Sequence, residues 1–233
     1  MNAVSEVWHR VFAAQAPPVA SVALGTAVVA AVLVYSAAWR YTRHLVTIAH
    51  EGAHAVVALL VGRSLSGIRL HSDTSGLTIS RGRPRGPGVV CMYAAGYLGP
   101  SLAGLLAALL LYDRHAVAVL WAVLVLLGLL LLQIHNWFGL LSVLITGLVV
   151  FAASWWSSEA GQSATAYLIA AFLLLGAPRP VWELSRQRRR GRSDADELAR
   201  LTRLPAALWL GFFLIATVAA AVAGGWLIAV GYR

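Results

Sequence analysis

The segment His50-Glu51-Gly52-Ala53-His54 has the residue types and spacing best suited to chemistry. In a helix, His50 and His54 lie one turn apart on the same face, so both imidazoles can bind one metal ion. Glu51 lies beside them and can accept a proton from a water that the metal activates. Catalytic zinc sites use three protein ligands and keep one position open. The segment therefore predicts a zinc-dependent peptidase site with Glu51 as the catalytic base and a third ligand elsewhere.

The motif lies in an apolar stretch, and the whole chain is apolar. The sequence is 60% hydrophobic and 12% charged, with a mean hydropathy of +0.76. Soluble domains contain about twice that share of charged residues. Seven stretches approach the roughly 20 apolar residues that a membrane span needs, at 19–39, 42–62, 89–111, 116–133, 138–156, 163–182 and 205–231. We therefore expect one membrane-embedded domain over residues 1–233, with Glu51 inside its second span.

Basic residues indicate how the chain is oriented. The net charge is +9, and all 18 basic residues are arginines. Most lie after the second stretch and in the loop 183–204, which predicts that these loops and the amino terminus are cytoplasmic. Because the arginines flank apolar spans, we expect a lipid bilayer and no nucleic acid as partner. The first stretch is expected to be a retained anchor. Arginine without lysine, with abundant alanine, indicates a bacterial cell-membrane protein.

The segment 64–86 has a different pattern. Its apolar residues alternate with polar or small ones at Ile68, Leu70, Leu77 and Ile79, and Ser72-Asp73-Thr74-Ser75-Gly76 supplies turn residues. This predicts a β-hairpin on the cytoplasmic side, the alternative being a flexible loop. The expected fold is an all-α polytopic membrane protein of about seven transmembrane helices with this small hairpin. The single cysteine, Cys91, excludes an intramolecular disulfide.

Several stretches resemble the site-2 protease family of intramembrane zinc metallopeptidases, more narrowly a compact branch without a PDZ domain. They are Ala49-His50-Glu51-Gly52-Ala53-His54-Ala55, Ser75-Gly76-Leu77-Thr78, Gly96-Tyr97-Leu98-Gly99-Pro100-Ser101, Asn136-Trp137-Phe138-Gly139 and Ser193-Asp194-Ala195-Asp196. The resemblance implies regulated intramembrane proteolysis, with a membrane-spanning protein as the substrate. It also implies a membrane-associated hairpin that offers a strand edge to the unwound substrate.

The sequence departs from the family pattern at the third zinc ligand. Many relatives carry Asn-x-x-Pro and then Leu-Asp-Gly, whose aspartate binds zinc, but no aspartate follows Asn136 here. Asn136 can still match the family asparagine that holds the substrate backbone, or it can be a capping or interface residue. The resemblance favours Asp194 as the third ligand, with Asp196 and His135 as alternatives. Asp194 would need a re-entrant segment, or a tilted last helix, to reach His54.

Two other functions fit parts of this pattern. An ion or solute transporter could use the buried histidines and Glu51 as a pathway, but it should show matched halves, and the sequence has no internal repeat. A catalytically inactive, protease-like scaffold would typically lack the glutamate, and Glu51 is present.

Overall fold

Helices form most of the computed structural model, which describes residues 8–16, 18–186 and 193–231. The arginine run at 188–192, expected to mark the cytoplasmic side, lies outside the described residues. The named elements are, in chain order, α1 (Val19–Val34), α2 (Ser36–Thr42), α3 (His44–Leu60), β1 (Ser64–Leu70), β2 (Gly76–Arg81), α4 (Pro87–Tyr112), α5 (Ala116–Leu131), α6 (Trp137–Trp156), α7 (Glu159–Gly176), α8 (Pro178–Arg186), α9 (Asp194–Thr202) and α10 (Ala206–Gly231).

Four helical stretches are long and apolar enough to cross a membrane. They are α4, α6, the continuous stretch Glu159–Arg186 and α10, of 26, 20, 28 and 26 residues. All four overlap stretches that composition predicted as spans.

Helix α4 begins where proline is best tolerated, with Pro87 in its first turn. Gly86 before it has φ +113°, a conformation that side chains disfavour. Proline in the first turn and glycine just before it therefore define where α4 starts.

The count of seven spans is not confirmed. In the described part of the chain, the structure has four such helices, or five if α1 and α2 together form one span. The chain bends by 104° between these two helices, where Tyr35 is extended. Helices α3 and α5 have 17 and 16 residues, or about 25 Å each, which is shorter than the roughly 30 Å hydrocarbon core.

The amino-terminal residues lie at the end of α4 that is distant from the hairpin. The Gln15 backbone N–H donates to the Arg114 carbonyl at 2.9 Å, just beyond the end of α4. Its side-chain amide donates to Gln162 at the start of α7 at 2.8 Å. The sequence predicted that the amino terminus and the hairpin lie on one side of the membrane, and these contacts favour opposite sides. That prediction counted α1 and α3 as two crossings, and Arg43 between them pairs with Glu183 of α8 at 3.3 Å.

The expected β-hairpin is present. Strands β1 and β2 pair antiparallel from Leu70↔Gly76 to Ser64↔Arg81. The Asp73 carboxylate accepts the Ser75 backbone N–H at 3.0 Å and the Ser75 hydroxyl at 2.6 Å, which stabilises the turn. These hydrogen bonds hold the pKa of Asp73 below its ordinary value. The turn chemistry read from the sequence is therefore confirmed.

The hairpin is held on a second side by the connection between α5 and α6. The Ile68 backbone N–H donates to the Gln133 carbonyl at 2.7 Å, and the His135 N–H donates to the Ile68 carbonyl at 2.9 Å. Ile68 and Ile134 form a parallel bridge. This connection therefore extends the sheet along the outer edge of β1 and fixes the hairpin over α3.

Helices α3 and α4 pack closely because small residues line their interface. A Cβ at Gly99 would overlap the Ala53 Cβ, so no side chain other than hydrogen fits there. Ala58, Val89 and Met92 continue this interface toward the hairpin as a buried cluster. The close approach places the histidine motif of α3 directly against α4.

Surface labelling can test how the chain ends are arranged. In a Cys91→Ser background, single cysteines replacing Ala13 and Glu159 are expected to react with an impermeant maleimide from one membrane face, and a cysteine replacing Arg85 from the other. All three positions are exposed. Since arginines concentrate toward the hairpin, we expect position 85 to be cytoplasmic. Labelling of positions 13 and 85 from the same face would contradict this arrangement.

Candidate metal centre

Helix α3 presents the three motif residues toward α4 and the hairpin. His54 and Glu51 are buried, at 6% and 5% exposure, and His50 is partly buried. The two imidazole Nε2 atoms lie 3.1 Å apart. The i, i+4 spacing therefore brings the two Nε2 atoms close enough to bind one metal ion, as expected from the sequence.

Asp194, near the other end of the chain, lies beside the two Nε2 atoms. It is the first residue of α9, a separate short helix and not an extension of α10. A capping box fixes the start of α9: the Ser193 hydroxyl accepts the Asp196 N–H, and the Asp196 carboxylate accepts the Ser193 N–H. Ala195 and Leu198 are fully buried in a cluster that includes Phe213 of α10. The cap and this packing hold α9 against α4.

The three ligand atoms are spaced as a tetrahedral metal requires. Asp194 Oδ2 lies 3.0 Å from His50 Nε2 and 3.2 Å from His54 Nε2. Atoms that each lie about 2.0–2.1 Å from a tetrahedral zinc are roughly 3.3 Å apart. Among the described residues, this is the one group of three or more His, Cys, Asp or Glu able to share a metal.

The orientation of the His54 ring is also suited to metal binding. Its Nδ1 lies 2.7 Å from the Met92 carbonyl oxygen, which can only accept, so Nδ1 carries the proton. Nε2 is then the ligand atom of His54, and it lies 3.2 Å from Asp194 Oδ2. Burial would raise the pKa of the Asp194 carboxyl, but the adjacent His54 and His50 hold it well below its ordinary value. Two imidazole nitrogens and one carboxylate oxygen, 3.0–3.2 Å from one another, form a donor set that catalytic zinc uses, so the residues fit zinc.

Gly96 of α4 leaves the space in which the ligand atoms meet. A Cβ at this position would overlap His54 Nε2 and would lie 2.6 Å from His50 Nε2. The glycine is therefore a requirement of the centre and not of the backbone conformation, since Gly96 lies inside a regular helix.

Replacing Gly96 by alanine is expected to weaken zinc binding by about 10–100-fold, the range for lost supporting interactions around a metal. The added methyl group displaces both imidazoles. Zinc affinity measured by competition with a chelator would check this. Gly128→Ala on α5 is the matched control, because nothing lies within 4 Å of its Cβ. Equal zinc affinity in both variants would show that the space left by Gly96 is not needed for zinc binding.

The hairpin forms the surroundings of Glu51. The Thr78 hydroxyl lies 2.7 Å from Glu51 Oε2, to which it donates. A Cβ at Gly76 would lie 2.5 Å from Glu51 Oε1, so glycine is needed beside the carboxylate. Strand β2 therefore orients the proposed base and limits what else can approach it.

The other predicted residues lie outside the cluster. The Asn136 amide pairs with the Leu70 backbone, since Oδ1 accepts its N–H at 3.1 Å and Nδ2 donates to its carbonyl at 2.6 Å. His135 is exposed and bonds to the Gln133 carbonyl at 2.7 Å. Asp196 serves the cap of α9. Of the three candidates for a third ligand, the structure thus brings Asp194 to the histidines, while substrate binding by Asn136 stays a prediction.

The sequence did not predict that four further residues belong to this site, and indicated only a turn at Gly76 and close helix packing or a kink at Gly96. These are Gly76, Thr78, Met92 and Gly96, which support or accommodate the ligands and Glu51. Gly76, Thr78 and Gly96 occur in stretches that carried the family resemblance, which was the available signal. Nothing in the local sequence marks the Met92 carbonyl, because a backbone atom has no residue signature.

Comparison with known proteins agrees with this geometry. The family described as Peptidase M50B-like matches residues 23–224, which include the motif and Asp194. No curated protein and no solved structure matches the chain. A match over most of the length, together with a converging His50, His54 and Asp194 cluster, shows that the chain belongs to the Peptidase M50B-like family, within the site-2 protease family.

Proposed function

We propose that this protein is an intramembrane zinc metallopeptidase that hydrolyses a peptide bond of a membrane-spanning protein. The observation that carries the proposal is the convergence of His50, His54 and Asp194 beside the buried Glu51. Gly96, opposite the histidines, lies nine residues after Pro87, about 13 Å along α4 from its start. This depth supports chemistry inside the bilayer, toward the hairpin end.

His50, His54 and Asp194 would hold the ion. Zinc, when bound, lowers the pKa of water and polarises the carbonyl of the scissile peptide. His54 keeps its ligand orientation through the hydrogen bond to the Met92 carbonyl. Asp194 would supply one negative charge and the two histidines none, so bound zinc would keep a net positive charge for polarising a carbonyl.

Glu51 acts as the general base. It takes a proton from the attacking water and passes it to the leaving amine. The Thr78 hydroxyl donates a hydrogen bond to Glu51 Oε2, whereas Oε1 accepts no hydrogen bond from the described residues. Oε1 is therefore the oxygen suited to proton transfer, and glycine at position 76 avoids the overlap that a Cβ would make with it.

The hairpin is the element best placed to hold the substrate. A scissile bond in a helix must be unwound, and pairing with a strand edge exposes it. The edge of β1 is occupied by the segment containing His135, whereas no backbone hydrogen bond from outside the hairpin reaches Gly76–Arg81 among the described residues. Asn136 anchors Leu70, so it acts as a positioning residue for this sheet.

Reconstitution with and without metal tests the proposed function. The full chain in lipid vesicles would be mixed with a set of single-span reporter proteins, and products mapped by mass spectrometry. We expect cleavage within a span, loss of at least 100-fold in rate after removal of metal with 1,10-phenanthroline, and recovery with equimolar zinc. Cleavage that persists without metal, or only in the extramembrane parts, would contradict the proposal.

A further inference from the structure

A basic cavity lies away from the metal centre, where α3 ends and α4 begins. Its volume is about 320 Å³. Three arginines line it, Arg63, Arg83 and Arg85, together with the first residues of α4. None of the lining residues is acidic. Neither the proposed peptidase reaction nor the packing of the core accounts for three guanidinium groups around one cavity.

The arginines are placed to bind an anion. Arg63 is held by the hairpin, because its Nε donates to the Ser80 hydroxyl at 3.0 Å and its Nη1 donates to the Arg83 carbonyl at 2.6 Å. Arg83 and Arg85 are exposed, and no carboxylate of the described residues pairs with any of the three. Guanidinium groups match phosphate oxygens in charge and geometry. The cavity therefore has unpaired positive charge suited to a phosphate group.

The neighbouring surface indicates where this phosphate would come from. Leu59 and Leu60, at the end of α3, are 58% and 79% exposed, and Val61 forms part of the cavity wall. Helix α4 is long and apolar enough to cross a membrane and starts at the cavity. Exposed leucines beside clustered arginines are expected at the boundary between acyl chains and headgroups.

We propose that this cavity binds the phosphate of an anionic phospholipid headgroup, with the acyl chains against the exposed end of α3. The three arginines contact the phosphate oxygens, and the lipid carries net negative charge because the site offers no acid to balance a cationic headgroup. The site is separate from the metal ligands and independent of the peptidase reaction.

Calorimetric titration of the full chain in neutral detergent tests the proposal. The probes are dioctanoyl phosphatidylglycerol, dioctanoyl phosphatidylcholine and inorganic phosphate. The variant Arg83→Gln/Arg85→Gln is compared with Arg69→Gln/Arg81→Gln, which removes the same charge from exposed hairpin positions that do not line the cavity. We expect phosphatidylglycerol to bind roughly 10- to 30-fold more weakly to the first variant, because each basic residue contributes a factor of about five.

The control variant should bind phosphatidylglycerol as the unaltered chain does. Zinc content, measured in both variants, would confirm that each is folded. Equal lipid affinity in the two variants would overturn the assignment of the site to Arg83 and Arg85. Binding of phosphatidylcholine or of inorganic phosphate as tight as that of phosphatidylglycerol would overturn the assignment of an anionic lipid.

Discussion

Replacing Glu51 by glutamine is expected to reduce peptide-bond hydrolysis by about 10²–10⁴-fold, the contribution typical of a general base. The amide keeps the size of the side chain and can still contact Thr78, which lies 2.7 Å from Oε2. It cannot accept the proton of the attacking water. Because the ligand cluster consists of His50, His54 and Asp194, zinc content should be unchanged.

Rates with a membrane-spanning reporter and zinc stoichiometry in the same preparation check this expectation. Glu197→Gln is a matched control, since Glu197 pairs with Arg200 on the partly exposed side of α9 and not with the cluster. A Glu51→Gln variant that turns over at the unaltered rate would remove Glu51 from the reaction. Loss of zinc together with activity would instead make Glu51 a structural element of the site.

Replacing Asp194 by alanine is expected to lower zinc affinity by more than the 10–100-fold that follows loss of a supporting partner, and to abolish activity. The variant removes the carboxylate that lies 3.0 Å from His50 Nε2 and 3.2 Å from His54 Nε2. Two histidines alone do not complete the three-ligand set of a catalytic zinc site. Chelator competition on purified protein gives the affinity.

His135→Ala is the comparison that distinguishes the candidate ligands. His135 is exposed and its Nδ1 bonds to a local carbonyl, so this variant should keep both zinc and activity. Asp196→Ala should show a smaller loss, because it removes the carboxylate half of the capping box of α9 and no ligand. Unchanged zinc affinity in Asp194→Ala, with loss in either other variant, would transfer the ligand role.

Local sequence was sufficient for the parts of the molecule that depend on neighbouring residues. His50 and His54 meet because a helix places residues four apart on one face. The hairpin formed as expected because alternation and the Asp73 turn act over a few residues. The long apolar helices followed from composition, since hydropathy is a local property.

The other features of the fold and of the site depend on packing between distant parts of the chain. Asp194 lies 140 residues from His54 in the chain, and a capped helix docked on α4 brings them together. Gly96 acquires its role from imidazoles on another helix. The bend at Tyr35 occurs in an apolar stretch that hydropathy treats as continuous, so the number of apolar helices long enough to cross a membrane was not predictable. Such features depend on which surfaces meet, and a one-dimensional pattern does not record those contacts.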